Sequence, residues 1–516
     1  MTSHSPPAPI QLRPLAIAAL LAFAPWICLG SRRDLHAVVP TVDAAGPGKA
    51  AMSRRAGGGR WHTQGASLLD AAGETVKLVG LNWSGFETTN GIPGGLTVRD
   101  YKEVLDNVKR SGFNVIRIPL SNEMIERPTV PSLVGYRGSK GSINVDLKGL
   151  TSLEILDKVV SYSQSIGLKL ILDNHRSNAG GGPQENGLWF TPEYPESTWV
   201  RDWTGLARRY ASSTSVIAFD LRNEPHSVDG GGACWDCGGV RDWHLAAQRA
   251  GNAILKENRG LLIIVEGVDE YHGDRYWWGA NLEGVRESPV KLTVPNHLVY
   301  SAHEYGPVEY PQPWFSPRTS SADLVDTWVK HWAFISDAQI APVYLGEFGT
   351  TNDAASIESS QGGSQGLWFS SLVSFLSSHP KISWTYWSAN GEDRYAYFDR
   401  SYSIDRSSQA KISLLDSIRA IAPWDADIGT RSSSMVDSLA PTERGSEHSA
   451  PLVTTNSPFP TADPRATTPD LLSRASRSPY QDRIRMEEQR AIAESIRNAV
   501  NYATERSQGN SFRSFR

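Results

Sequence analysis

Cysteine is scarce in this sequence, with 3 residues in 516, and a zinc site built from four thiolates is excluded on that count alone. A cationic excess is absent too. Lys and Arg number 51 against 55 Asp and Glu, for a formal net charge of −4, whereas an electrostatic binder of nucleic acid or of an anionic membrane carries a basic surplus. The apolar stretch at residues 15–29, preceded by Arg13 and interrupted by Pro25, falls short of the roughly 20 residues a bilayer-spanning helix needs. No Gly-x-Gly-x-x-Gly opens a helix after the first strand-like run, so a dinucleotide-binding sheet would lack its phosphate cradle.

What is present begins with length, which suits one large enzyme domain with residues left over rather than a small binding module. Aromatic usage is high, at 17 Trp, 17 Tyr and 14 Phe. Indole is bulky and carries a donor that burial must satisfy, so the Trp surplus exceeds what a core needs and asks for a ligand. Residues 1–30 read as a signal peptide ending near Gly30, and the chain as secreted. Arg32 and Arg33 follow the apolar stretch, which keeps an uncleaved anchor as the one route to a membrane. Residues 31–56, rich in Ala, Gly and Pro, read as a linker. Residues 424–479 have the Ser/Thr/Pro composition of a disordered tail, and 480–508 regain helical spacing through Ile492, Ile496 and Val500. With Cys28 lost alongside the signal, Cys234 and Cys237 in Ala-Cys-Trp-Asp-Cys read as a small loop disulfide, with a zinc half-site or a redox pair as the alternatives.

Between residues 57 and 423, eight short apolar runs recur at 76–82, 113–119, 168–174, 216–222, 261–266, 298–303, 342–347 and 382–387. Stretches with helical spacing separate them, among them 99–111, 150–166 and 243–255. Strand and helix alternating eight times predict an α/β fold, a (β/α)8 TIM barrel forming the single domain that does the chemistry. Each run stops at polar or aromatic residues, and in a parallel barrel all strand C-termini lie on one face. Glu224 follows the fourth run and Glu347 ends the seventh, three strands apart around the ring. Paired carboxylates are the equipment for glycosidic bond hydrolysis, one protonating the leaving oxygen and the other stabilising or attacking the anomeric carbon. A lone strand-end Glu is more often an ion pair or cap; two in polar-aromatic clusters point to chemistry. Arg117 is placed to keep Glu347 ionised, His303 and Tyr305 to orient the pair, and Asn223 to reach a sugar 2-hydroxyl.

These residues resemble glycoside hydrolase family 5. The resemblance rests on Arg117 in Val-Ile-Arg-Ile-Pro, His175 in Asp-Asn-His-Arg, Glu224 in Leu-Arg-Asn-Glu-Pro, His303 in Ser-Ala-His-Glu-Tyr, Glu347 in Leu-Gly-Glu-Phe-Gly, and Trp387. It is strongest to the secreted bacterial endo-β-1,4-glucanases and spans about residues 57–423. It implies a retaining double displacement, with Glu224 as acid/base, Glu347 as nucleophile, and about 5 to 5.5 Å between the carboxyl groups. Arg117, His175, Asn223, His303 and Tyr305 would complete the sugar subsite, with Trp387 as its floor. Cellulose-type β-glucan is the implied substrate, a monomer the expected state, and no cofactor is required. No His/Asp/Glu cluster has metal-ligand spacing.

Flat sugar faces stack on indoles, which makes Trp83, Trp387 and one of Trp277 and Trp278, here taken as Trp278, the candidate walls; Trp189, Trp235 and Trp314 are weaker ones. The resemblance also leads one to expect a cysteine pair near positions 89 and 179, where Thr89 and Ala179 stand, so the loop 178–187 is expected to be looser. Mannan, mixed-linkage glucan or xyloglucan remain alternative substrates, and a non-catalytic glycan-binding barrel an alternative class.

Overall fold

Each of the eight apolar runs forms a strand in the computed structural model, which describes residues 60–419 apart from 71, 140, 230 and 405–408. In chain order they are β1 (Val79–Asn82), β2 (Val115–Ser121), β3 (Lys169–Arg176), β4 (Val216–Asp220), β5 (Leu262–Glu266), β6 (Leu298–Tyr305), β7 (Val343–Gly349) and β8 (Ser383–Tyr386). Neighbours are all parallel, and β8 returns to β1 with Trp384 opposite Val79 and Tyr386 opposite Leu81. The sheet therefore closes into a barrel with no free edge. The expected signal peptide, linker, tail and terminal helix, at 1–30, 31–56, 424–479 and 480–508, lie outside the described residues.

Parallel neighbours need crossovers, and helices supply six of the seven: α1 (Tyr101–Arg110), α2 (Ser152–Ser165), α3 (Glu196–Arg209), α4 (Trp243–Glu257), α5 (Ser321–Trp328) and α6 (Gln365–Ser378); the β5–β6 connection is helical only in a 3-10 turn at Glu283–Arg286, and α7 (Gln409–Ile418) follows β8. The helices expected over 99–111, 150–166 and 243–255 form within two residues of those bounds. Their starts are written locally: the Asp100 carboxylate caps α1, and Thr151 with Glu154 makes a reciprocal capping box on α2. In α1, Tyr101, Val104, Leu105 and Val108 make the buried stripe.

Alternation along the strands sorts the side chains. Ile116 and Ile118 of β2 face the helices, while Val115 points into the barrel with Ile171, Ala218, Ile264 and Val299. An antiparallel sheet of His62–Gln64, Ser67–Leu69 and Thr75–Val76 contributes Trp61, Leu68 and Val76 to this inner cluster, closing the N-terminal end with apolar surface. Two residues further along each strand the inward positions turn polar: Arg117, Asp173, Asp220, Glu266 and Ser301, all buried. The site is thus the continuation of the core toward the strand C-termini.

The expectation that the Trp surplus serves a ligand is corrected here. Among the described residues only Trp278, Trp314 and Trp387 are more than marginally accessible; Trp61 fills the inner cluster and the others the larger core around it. Backbone and carboxylate acceptors satisfy several of the buried indoles: Trp199 and Trp203 both donate to the Leu221 carbonyl at 3.0 and 3.1 Å, and Trp243 donates to the Glu266 carbonyl at 2.8 Å. These bonds hold the backbone at the ends of β4 and β5, where the site is built.

Candidate active site

Arg117 is the hub. The period-two alternation that sends Val115 into the apolar interior sends Arg117 into the layer above it, completely buried. Its guanidinium contacts Asp220 (2.9 Å), Asp173 (3.2 Å), Glu266 (3.3 Å) and Glu347 (2.7 Å), and reaches the side-chain oxygens of Asn82 (3.1 Å) and Asn223 (3.0 Å). One cation among four carboxylates leaves the cluster anionic, which draws protons onto its other members. Burial pushes the Asp220 carboxyl well above the usual carboxylate range, against the pull of Arg117. Burial alone would suppress charge on His303, but Glu266 and Glu347 outweigh it and raise the imidazole pKa well above its ordinary value.

His303 sits between the two expected carboxylates. Its Nδ1 is 2.9 Å from Glu224 Oε1 and 3.7 Å from Glu347 Oε2, and its Nε2 is 3.2 Å from Glu266 Oε1. A register shift between Ala302 and His303, where β6 pairs with β7, aims the imidazole this way. Oxygens of Glu224 and Glu347 lie within 4.8 Å of each other. The Tyr305 hydroxyl donates to Glu347 Oε2 at 2.8 Å, while Arg117 holds Oε1.

The two carboxylates are driven apart in acidity. Burial raises the Glu224 carboxyl above its ordinary value, and His303 only partly offsets this. Burial would raise Glu347 as well, but His303, Arg117, His175 and the Tyr305 hydroxyl together bring it below its ordinary value. Their environments thus push the two acidities in opposite directions, the pattern by which a site separates an acid from a base.

Glu224 is held in an unusual backbone state, with φ of 49°, a left-handed conformation that costs an L-residue roughly 1–2 kcal/mol. What holds it is Glu266, whose Oε2 accepts the Glu224 N–H at 2.8 Å. Glu266, Asp173 and Asp220 carry no role in the reading from sequence, although Glu266 and Asp173 stand among the strand-end polar residues that signal a site. Asp173 accepts from His175 Nδ1 at 2.7 Å, orienting a ring that stacks on Trp387 with centroids 5.7 Å apart. Asn223, its oxygen taken by Arg117, leaves its buried amide nitrogen with no partner and free for a ligand hydroxyl.

The aromatic candidates divide. Trp387 is half-buried, its indole N–H on Asp393 at 3.1 Å. Trp278 is 45 % exposed and stacks on His226 at 3.9 Å. Trp83 is corrected: no part of it is accessible and its N–H donates to the Gly94 carbonyl, so it has no face to offer a sugar. Trp189 and Trp235 are buried likewise.

Cys234 and Cys237 are joined as a disulfide. Around residues 178–187, where the cysteine staple is missing, Arg176 takes its place, donating to the carbonyls of Asn178, Gly181 and Gly182 and pairing with Glu185 at 2.6 Å. The looser loop expected there is pinned from within. Spacing along the chain does not report groups that the fold brings together. Among the described residues three groups bring His and carboxylate atoms within 4.8 Å: Glu224, His303 and Glu347; Asp236, Asp242 and His244; and Asp274, Glu283 and His331.

Residues 69–393 match the family model described as Cellulase (glycosyl hydrolase family 5). The chain is 43 % identical over 336 residues to an endoglucanase of Paenibacillus polymyxa, covering 64 % of this chain and 80 % of that protein. It is 32 % identical to the major extracellular endoglucanase of Xanthomonas campestris pv. campestris, spanning 63 % of this chain and of that relative's length. A cellotetraose complex of an endocellulase from Pyrococcus horikoshii superposes with a TM-score of 0.63 at 32 % identity, over 70 % of this chain and 99 % of that one.

Proposed function

The chain belongs to glycosyl hydrolase family 5, and from that premise we propose that it hydrolyses internal β-1,4 bonds of cellulose-type glucans with retention of anomeric configuration. The observation that supports the mechanism is that an oxygen of Glu224 and one of Glu347 lie within 4.8 Å of each other, which suits the short carboxyl separation of a retaining site. Glu347, ionised and held at both oxygens by Arg117 and Tyr305, attacks the anomeric carbon. Glu224 passes its proton to the departing glycosidic oxygen, leaving a glycosyl ester on Glu347. Water then displaces the ester as Glu224, now a base, takes its proton back. The unpartnered Asn223 amide nitrogen supports a contact to the 2-hydroxyl, and the accessible indoles of Trp387 and Trp278 support stacking on the sugars.

The endoglucanase relatives and the cellotetraose-bound neighbour support glucan over mannan as substrate, and the extracellular relative, with the disulfide, supports secretion. The test is reducing-sugar release from carboxymethylcellulose, barley β-glucan, xyloglucan and mannan by wild type, Glu224→Gln and Glu347→Gln. Each substitution lowers the glucan rate by roughly 10²–10⁴-fold, and NMR of the first product shows the β-anomer. Retained activity in either variant, an α-anomer, or a preference for mannan refutes the proposal.

A further inference from the structure

The loop that leaves the acid/base region after β4 ends in a second cluster of functional groups. Cys234 and Cys237 close its last turn, with Cα atoms 6.0 Å apart, and Asp236 lies between them, exposed. Asp242, fully buried at the start of α4, accepts backbone N–H groups from Asp236 (3.3 Å), Gly238 (2.8 Å) and Leu245 (3.3 Å). His244, the second residue of α4, is 8 % exposed. Its Nδ1 is buried with no hydrogen-bond partner, 3.9 Å from Asp242 Oδ1. Its Nε2 faces the Pro289 carbonyl at 3.3 Å, with the Gln248 amide nitrogen also at 3.3 Å. Gln248, whose Oε1 accepts from the Lys291 N–H, turns its amide N–H toward the same Nε2, so the two neighbours do not fix the tautomer; a cation on Nδ1 selects the form with the proton on Nε2, which the Pro289 carbonyl accepts.

One ligand atom from each of Asp236, Asp242 and His244 falls within 4.8 Å of the others. Among the described residues no Lys or Arg forms an ion pair with either carboxylate; Asp236 is met by the Ser288 hydroxyl and Asp242 by backbone. We propose that these three residues bind a divalent cation of the zinc class, with solvent completing the coordination on the Asp236 side. One imidazole nitrogen with two carboxylate oxygens suits zinc or its transition-metal neighbours, whereas calcium takes oxygen throughout. A metal-bound imidazole ordinarily donates its other N–H to a backbone carbonyl, the position Pro289 occupies. The contrast with Asp274, Glu283 and His331 is instructive: there Lys330 and His331 already pair with Asp274, so a cation would have to displace a lysine. Bound at Asp236, Asp242 and His244, the cation ties the disulfide-closed turn to the first turn of α4, and with it the loop that begins beside Glu224.

The experiment is isothermal titration of the full chain with ZnCl2 in a non-chelating buffer, repeated on Asp236→Asn and His244→Gln, with Co²⁺ absorption in the visible as a second readout. Because the active-site carboxylates and Asp274 can also take zinc, the discriminating quantity is the change between wild type and variant. Each substitution removes one site from the stoichiometry or weakens it at least about tenfold, and Asp236→Asn hydrolyses carboxymethylcellulose as wild type does. Asp236 is exposed, so that variant decides the matter alone if His244→Gln misfolds. Unchanged stoichiometry and affinity in Asp236→Asn, or no zinc binding by wild type up to about 1 mM, overturns the proposal.

Discussion

Gly279→Ala isolates the device that positions Glu224, the proposed acid/base. Gly279 has φ of +71°, and a β-carbon built on it would lie 2.2 Å from Glu266 Oε2 and 3.1 Å from Glu224 Cα. The backbone there cannot retreat, because the Gly279 N–H donates to the Pro225 carbonyl at 3.3 Å and its own carbonyl accepts from Gly267 at 2.6 Å. The added methyl must therefore push Glu266 off the Glu224 N–H, releasing the left-handed backbone of Glu224. The left-handed alanine costs about 1–2 kcal/mol, and loss of a buried hydrogen bond to a charged group about 1.5–3 kcal/mol, for a total of roughly 3–5 kcal/mol. At about 2 °C per kcal/mol for a domain of this size, Tm falls by roughly 6–10 °C. A displacement of Glu224 of the order of 1 Å lowers kcat about 100-fold, with KM little altered. Gly273→Ala is the control: φ there is +85° and nothing lies within 4 Å of the added carbon, so only the conformational cost applies and kcat stays as it was. Calorimetry and steady-state kinetics on carboxymethylcellulose compare the two. If Gly279→Ala keeps kcat within about twofold of wild type and melts with Gly273→Ala, Glu266 does not position Glu224.

Two further outcomes follow from the same geometry. His303 lowers the pKa of both carboxylates, so in His303→Gln the Glu224 pKa rises further and that of Glu347 is held down less, by Arg117, His175 and Tyr305 alone. The proposed mechanism needs Glu347 ionised and Glu224 protonated, so both limbs of the pH–kcat/KM profile move to higher pH as the maximum falls; unmoved limbs would contradict the charge coupling. Trp278→Ala removes an exposed indole and Trp83→Phe a fully buried one. The first raises KM several-fold for a stacking loss of about 0.5–1.5 kcal/mol with Tm unchanged, and the second lowers Tm with KM unchanged. The reverse pattern would return Trp83 to the sugar site.

The strands were legible because their signal is local. A run such as Val115–Ser121 is rich in β-branched and apolar residues and buried on both faces, as a strand between barrel interior and helices must be, and caps such as Thr151 with Glu154 mark the helices. The two carboxylates were legible because each stands at a strand end beside polar and aromatic neighbours. Burial of the Trp residues was not legible, since an indole at a strand end or in a loop reads the same whether it lines a cleft or fills the layer beneath the helices. Arg176 as an internal staple was not legible either: its acceptors are backbone carbonyls, which every sequence has.

By itself the sequence determined the elements, their order and the chemistry available at each strand end, because periodicity, capping and residue type act over a few residues. Which groups meet was decided by closure of the barrel. Only the ring brings Arg117 of β2 against Asp220 of β4, Glu266 of β5 and Glu347 of β7, and the opposed acidities of Glu224 and Glu347 arise there, because interaction between charges depends on their separation in space and on the burial around them.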